Sequence, residues 1–335
     1  MMRRMGEEIS RHATCCTGAL LIACSAVAVP AAAAAQAPYP VKPIRLIVPF
    51  APAGSADALA RTLQPALSEA LGQMLVIDNR PGASSTIGTD MAAKAAPDGY
   101  TVVLVTTTHA VNPSLIAKLA YDTVKDFAAV SLLVSQPNIL VVHPSVTVKS
   151  VAELVALAKA KPNTLNFASG GNGSSPHLSG ELFKLVAGIQ ITHIPYKGSG
   201  PGVTDLLGGH VQMMFAGPLA LEQHIKSGRL RALAVADKRR SSVLPEVPTM
   251  TEAGFAGVET GTWFGVLAPA RTPAALVSYI QRSIARILEA PALKSRIVNQ
   301  GVDIVASSPG EFEKFIIAEV AKWSRVVQRA GVRAD

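Results

Sequence analysis

Ile44-Arg45-Leu46-Ile47-Val48-Pro49-Phe50-Ala51-Pro52-Ala53-Gly54-Ser55 is the stretch whose reading decides the fold. Its first five residues form a short, β-branched apolar run, the pattern of a buried strand. A Pro/Gly/Ala loop follows. Leu59, Leu63, Leu67 and Leu71 then recur every four residues, and Gly72 closes the segment. That is strand, loop, helix and C-terminal glycine. Ser55 is the expected N-cap, and Pro65 inside the helix predicts a kink or an early break. Residues 74–77 read as a second strand and Asn79-Arg80-Pro81-Gly82 as a turn. Ile87, Met91 and Ala95 mark another helix face, and residues 100–105 a third strand. The order βαβαβ implies a parallel sheet with helices on both faces.

The pattern then changes. Residues 127–143 hold two extended apolar stretches with no helix between them. A second α/β series begins at the capping box Ser150-Val151-Ala152-Glu153. Strands are predicted at 165–168, 191–194, 211–215 and 230–235, with helical segments between. Residues 263–267 are again extended, and two helices finish the chain. The last has Ser308 as N-cap, Pro309 at N1 and Glu311 at N3, with an apolar face through Phe312, Phe315, Ile316, Val320 and Trp323. These elements describe two α/β lobes joined by two extended crossings, near 129–142 and 259–267. Residues 36–138 with 262–335 form the first lobe and 139–261 the second. Two lobes with two connections make a hinge with a cleft between them.

Residues 1–35 read as a secretory leader. Arg3, Arg4 and Arg11 precede an uncharged run that ends in Ala33-Ala34-Ala35. Cleavage after Ala35 is preferred over cleavage after Ala37, which would place Pro38 first. All three cysteines, Cys15, Cys16 and Cys24, lie in this leader, so the mature chain has no thiol for a disulfide, a thiolate nucleophile or cysteine-ligated zinc. Leu21-Ile22-Ala23-Cys24 resembles a lipoprotein processing box, which leaves a free or a lipid-anchored periplasmic protein as alternatives. Of the 31 basic and 23 acidic side chains the leader holds three and two, so the mature net charge is +7. Such an excess favours anionic partners. The basic residues are scattered and aromatics are few, which argues against nucleic acid.

Ligands of open parallel sheets bind beyond the carboxyl ends of the strands. The loop from Pro49 to Asp57 is therefore a candidate: its small residues let a ligand approach the backbone, and a helix start favours a carboxylate. An ordinary strand-to-helix turn has the same composition. Thr106-Thr107-Thr108-His109 places hydroxyls after the third strand. Ser169-Gly170-Gly171-Asn172-Gly173-Ser174-Ser175-Pro176-His177 is the strongest local feature, a donor-rich loop with Ser175 as expected N-cap and Pro176 as N1. His177 either bonds a ligand or caps its own helix. Tyr196-Lys197 leads into a further glycine loop, 198–202. No Walker loop, G-x-G-x-x-G, G-x-S-x-G or H-E-x-x-H is present. No two histidines have metal-ligand spacing. Catalysis, a metal and a cofactor are not expected.

At these loops the chain resembles the periplasmic binding proteins of the tripartite tricarboxylate transporter group, the Bug family. The resemblance rests on residues 39–50, Asp78-Asn79-Arg80-Pro81-Gly82, Ala96-Pro97-Asp98-Gly99-Tyr100, residues 168–178, His193-Ile194-Pro195-Tyr196-Lys197-Gly198, Asp205-Leu206-Leu207-Gly208-Gly209 and residues 263–269. It implies a two-lobed type II periplasmic binding fold, each lobe a mostly parallel sheet flanked by helices. It implies a monomer that holds a small organic carboxylate and delivers it to membrane transporter subunits. The family's contacts, partly through water, carry over to Phe50, Gly54, Ser55 and Asp57 and to Ser169, Gly173, Ser174 and His177. Ala51, Thr107, Thr108 and Tyr196 complete the candidate cleft. Two departures stand out. Ala53 replaces a usual glycine. Ala216-Gly217 stand where amino-acid-binding members carry a carboxylate for the ligand ammonium, which argues against an amino-acid ligand. A ligand-presenting sensor and a periplasmic hydrolase are the alternative functions.

Overall fold

The computed structural model describes residues 39–330. The leader, its cleavage sites and Cys24 lie outside the described residues. The first elements are β1 (Ile44–Val48), α1 (Ser55–Leu71), β2 (Leu75–Asn79), α2 (Thr86–Ala93), β3 (Thr101–Thr106) and α3 (Thr107–Leu115). The long strand β4 (Phe127–Val142) comes next. Then come α4 (Val151–Ala160), β5 (Asn166–Ser169), α5 (Ser175–Ala187), β6 (Thr192–Pro195), α6 (Ser199–Leu207), β7 (Met213–Ala216), α7 (Pro218–Lys226) and β8 (Arg231–Ala236). The chain closes with β9 (Gly261–Pro269), α8 (Ala274–Glu289), α9 (Pro291–Val298), β10 (Asp303–Ile304) and α10 (Pro309–Ala330).

The sheet order is β2-β1-β3-β9-β4-β7-β5-β6, with β8 and β10 also on β4. Strands β1, β2 and β3 are parallel, as are β5, β6 and β7. Strand β4 joins the two groups. From Phe127 to Pro137 it pairs antiparallel with β9, and from Asn138 onward with β8 and β7. The handover falls beside Pro137, which has no N–H to give to a ladder. The two predicted apolar stretches in 127–143 are thus one continuous strand, because nothing between them supplies a turn.

Near-continuous apolar strands reflect burial on both sheet faces. Leu46, Val48, Val102 and Leu104 pack on one face, against Leu59, Leu63 and Leu67 of α1 and Ile280 and Ile284 of α8. Ile47, Val103 and Val105 pack on the other, against Phe312, Ile316 and Trp323 of α10. The second group repeats the arrangement: Met213 and Phe215 face Leu154 and Phe183, while Met214 and Ala216 face Val203, Leu206 and Leu221.

Helix α1 runs unbroken through Pro65, contrary to the expected kink or break. A proline inside a helix costs about 3 kcal/mol. Four fully or nearly buried leucines on one face, each contributing roughly 1.5–3 kcal/mol, outweigh it. Gly72 ends the helix in the left-handed region at φ 69°, its N–H donating to the Glu69 carbonyl. At the other end of the chain the predicted capping box is present. Ser308 N–H donates to Glu311 Oε2 at 2.8 Å, and Glu311 N–H to Ser308 Oγ at 3.4 Å. The buried Glu319 of α10 accepts both indole N–H groups, from Trp263 at 2.9 Å and Trp323 at 2.7 Å, which ties α10 to β9. The stretch after β9 holds three helices and a short strand rather than two helices. Strand β10 adds two residues to the edge of β4, which the sequence pattern is too short to announce.

Gly265 of β9 faces the Phe312 ring, and a Cβ there would overlap it. Gly265→Ala should lower the unfolding free energy by about 1–3 kcal/mol, read from urea denaturation, because overpacking forces the ring off its site. His109 of α3 is fully buried, stacked on Tyr121 at 5.9 Å and edge-on to Phe127 at 5.2 Å. Burial pulls its pKa from 6.5 down to about 4, partly opposed by the hydrogen bond to the Thr123 carbonyl. The unfolded chain therefore takes up a proton near pH 6.5 that the folded chain refuses until about pH 4. Stability should fall as pH drops through that window. Thermal melts of the wild type and His109→Gln should show a shallower decline in the variant; equal slopes would contradict the assignment.

Candidate functional site

The parallel connections of both groups run from the carboxyl end of a strand into the start of a helix. Five of these starts, those of α1, α3, α5, α6 and α7, meet around one cavity. Gly54, Ser55 and Ala56 come from the start of α1, and Thr106 and Thr108 from that of α3. Ser174, Ser175 and Pro176 come from α5, Ser199 from α6, and Ala216 and Gly217 from the β7–α7 junction. Phe50, Gly170, Thr262 and Phe264 complete the wall. No side chain of formal charge lines it.

The helix starts are largely uncapped. Gly54, Thr106, Gly198 and Gly217 occupy the N-cap positions of α1, α3, α6 and α7 without a side-chain cap bond. Only α5 of the five is capped by its own N-cap side chain, Ser174 Oγ accepting from His177 N–H at 3.3 Å. Ser175 and Ser55, the expected caps, are instead the first residues inside their helices. The shift puts the hydroxyl of Ser175 on the Gly261 carbonyl at 2.7 Å, and Ser55 N–H on Ser199 Oγ at 3.2 Å. Helix starts leave backbone N–H groups unpaired and carry about half a positive charge each. Five of them around a pocket without a charged side chain make the surroundings of the cavity electropositive from backbone alone.

The loop before α1 is held from behind. Asp57 is buried and accepts from Ala53 N–H at 3.0 Å, Arg61 Nε at 2.9 Å and Asn79 Nδ2 at 3.1 Å. Asn79 Nδ2 also donates to the Phe50 carbonyl at 3.1 Å. Burial pushes the Asp57 carboxyl up, but these bonds outweigh it and leave the pKa below the usual carboxylate range. The bond from Ala53 N–H also accounts for the residue that departs from glycine. Ala53 sits at φ 64°, a conformation that disfavours a side chain, and the Asp57 carboxylate secures it there.

On its other side this loop touches the 198–202 loop backbone to backbone. Ala51 N–H donates to the Lys197 carbonyl at 2.8 Å. A Cβ on Gly54 would meet Ser199 Oγ at 2.8 Å, and one on Gly200 would overlap the Pro52 carbonyl. The glycines are needed for the approach.

Seven sequence candidates thus come to the cavity wall: Phe50, Gly54, Ser55, Thr108, Ser174, Ala216 and Gly217. The other seven stand behind or beside it. Ala51 and Asp57 shape the first loop. Thr107 Oγ1 accepts from Trp263 N–H at 3.3 Å, fixing β9 to α3. Ser169 Oγ lies 2.6 Å from His193 Nε2 and accepts from Gly171 N–H at 3.1 Å. His177 Nδ1 accepts from Gly173 N–H at 3.0 Å, and its ring stacks on His193 at 4.0 Å. The pair props the 169–174 loop, and burial, then the nearby Lys184 charge, lowers the His193 pKa to about 4. Tyr196 donates to Asp205 Oδ2 at 2.6 Å and lines a neighbouring cleft with Ser84, Ser85 and Asn172. Ser175, Ser199, Thr262 and Phe264 line the wall without being among the sequence candidates. Ser199 was findable, since it sits in the 198–202 glycine loop. Thr262 and Phe264 lie on a crossing strand and carry no local signal.

The protein-family model described as tripartite tricarboxylate transporter family receptor matches residues 59–332. BugT of Bordetella pertussis is 40% identical over 316 residues, spanning 94% of this chain and 96% of that protein. An R. palustris protein solved with adipate superimposes with a TM-score of 0.85 at 36% identity, covering 88% of this chain and 99% of that one. MatC from Rhodopseudomonas palustris with bound malate gives a TM-score of 0.83 at 30% identity, covering 86% and 100%. The mixed α/β fold is that of periplasmic binding proteins, with a structure described as a periplasmic transporter at a TM-score of 0.86. The chain belongs to the tripartite tricarboxylate transporter receptor family, whose members are solute receptors rather than enzymes.

Proposed function

We propose that this receptor captures a small organic carboxylate in the cavity where the five helix starts meet, and delivers it to the membrane subunits of a tripartite tricarboxylate-type transporter. The observation that carries the reading is the electrostatics of the wall. Five helix starts, four of them without a cap from their own N-cap side chain, surround a space with no charged side chain, so their positive ends favour a carboxylate and disfavour an ammonium group. The relatives solved with adipate and malate support the same ligand class. Ala216 and Gly217 add no acidic group to the wall, which disfavours amino acids.

Capture works by closure. Residues 36–138 with 262–335 form one body and residues 139–261 the other. The ligand bridges them and shifts the equilibrium by its stronger affinity for the closed form. Strands β4 and β9 are the hinge. The protein acts as a monomer in the periplasm, after its leader is removed.

A thermal-shift screen of monocarboxylates, dicarboxylates, aromatic acids and amino acids tests the ligand class. At a concentration about a hundredfold above Kd, a binding acid should add about 2.7 kcal/mol of stability. A shift with amino acids alone would defeat the reading. Asp57 shapes the loop from behind the cavity wall, so Asp57→Ala should lower stability by about 1–3 kcal/mol. It should also weaken every carboxylate by a similar factor in calorimetric titration. Loss confined to one ligand type would make Asp57 a direct contact instead.

A further inference from the structure

Gln136 of β4 is 3% exposed, and half of its amide is accounted for. Its Oε1 accepts from Leu219 N–H, in the first turn of α7, at 3.3 Å. It therefore supplies the cap that Gly217 at the N-cap position cannot. That bond also fixes which way the amide faces, since the opposite orientation would set N–H against N–H. The Nε2 group then finds no acceptor among the described residues. A buried donor left in that state is rare and asks for an explanation.

The position of the amide supplies one. A Cβ on Gly217 would overlap the Gln136 amide carbon and Nε2, so the amide occupies the space that a side chain at 217 would fill. Gly217 lines the cavity, and so does Thr262, the register partner of Gln136 in the β4–β9 ladder. The unpaired N–H donor thus lies directly behind Gly217 of the cavity wall, and no acidic side chain lines that wall.

We propose that Gln136 is a specificity-determining residue: its amide N–H selects ligands whose end nearest Gly217 carries an oxygen acceptor, a second carboxylate above all. This rests on the carboxylate reading of the cavity. Helix starts hold the first carboxylate whatever the far end of the ligand carries, whereas the amide distinguishes a second carboxylate from a methyl or ammonium end. Glycine at 217 is part of the device, because any side chain there would displace the amide.

The test titrates succinate, glutarate and adipate, each against the monocarboxylate of equal length, into the wild type, Gln136→Met and Gln136→Glu. Gln136→Met removes the donor without adding charge. Gln136→Glu keeps an oxygen for Leu219 N–H and so guards against a fold defect in the first variant, with thermal melts run alongside. The wild type should prefer at least one diacid, and both variants should lower the diacid-to-monoacid affinity ratio about ten- to a hundredfold, the range of a lost hydrogen bond to a charged group. An unchanged ratio in the two folded variants, or no diacid preference in the wild type, would make Gln136 a helix cap only. Failure of every carboxylate to bind the wild type would instead overturn the carboxylate reading itself, and this proposal with it.

Discussion

Strand β4 is the constraint on which the rest depends. It is sixteen residues long and pairs with β9 over its first part and with β7 and β8 over its second. Two three-layer groups share one backbone ladder, so they cannot separate without breaking it. A knot of buried polar groups marks the place where the ladder changes partners. Asn138 Nδ2 donates to Ser175 Oγ at 2.7 Å and Ser179 Oγ at 2.9 Å, and Ser175 grips the Gly261 carbonyl of β9. In a site of low dielectric a satisfied network of this kind fixes geometry, because each unmade bond is costly. It joins the start of α5, which lines the cavity, directly to the two crossing strands.

The site inherits its chemistry from this arrangement. Parallel strands send every connecting helix off the same edge of the sheet. Two such groups facing each other bring their helix starts together, and the positive ends add. No cationic side chain lines the cavity. The residues behind the wall do the shaping. Asp57 and Asn79 hold the first loop, His177 and His193 the second, and glycines at 54, 198 and 200 allow the loops to touch. Several residues expected to touch a ligand belong to this supporting set.

Much of the fold was legible along the chain. The leucine spacing of α1, the glycine at 72, the helix caps at Ser150 and Ser308 and the apolar face of α10 are local patterns, and each appears where its period or cap chemistry puts it. The misjudged details share a cause. Pro65 is tolerated because tertiary burial of α1 outweighs a local penalty. The caps at Gly54 and Ser174 lie one residue earlier than expected because Ser55 N–H and the Ser175 hydroxyl are claimed by distant partners, Ser199 and Gly261.

The sequence by itself determined the α/β class, most of the helices and the loops from which a site would be made, though not α3, since strand period, helix period and turn residues act over a few neighbours. The tertiary structure alone decided which of those loops meet. Ser199 stands 144 residues from Ser55, and Gln136 lies against Gly217 across a strand pairing. Contacts at such separations leave no periodic trace in the chain. A glutamine in an apolar strand looks unremarkable until the space beside a side-chain-free glycine shows what its amide faces.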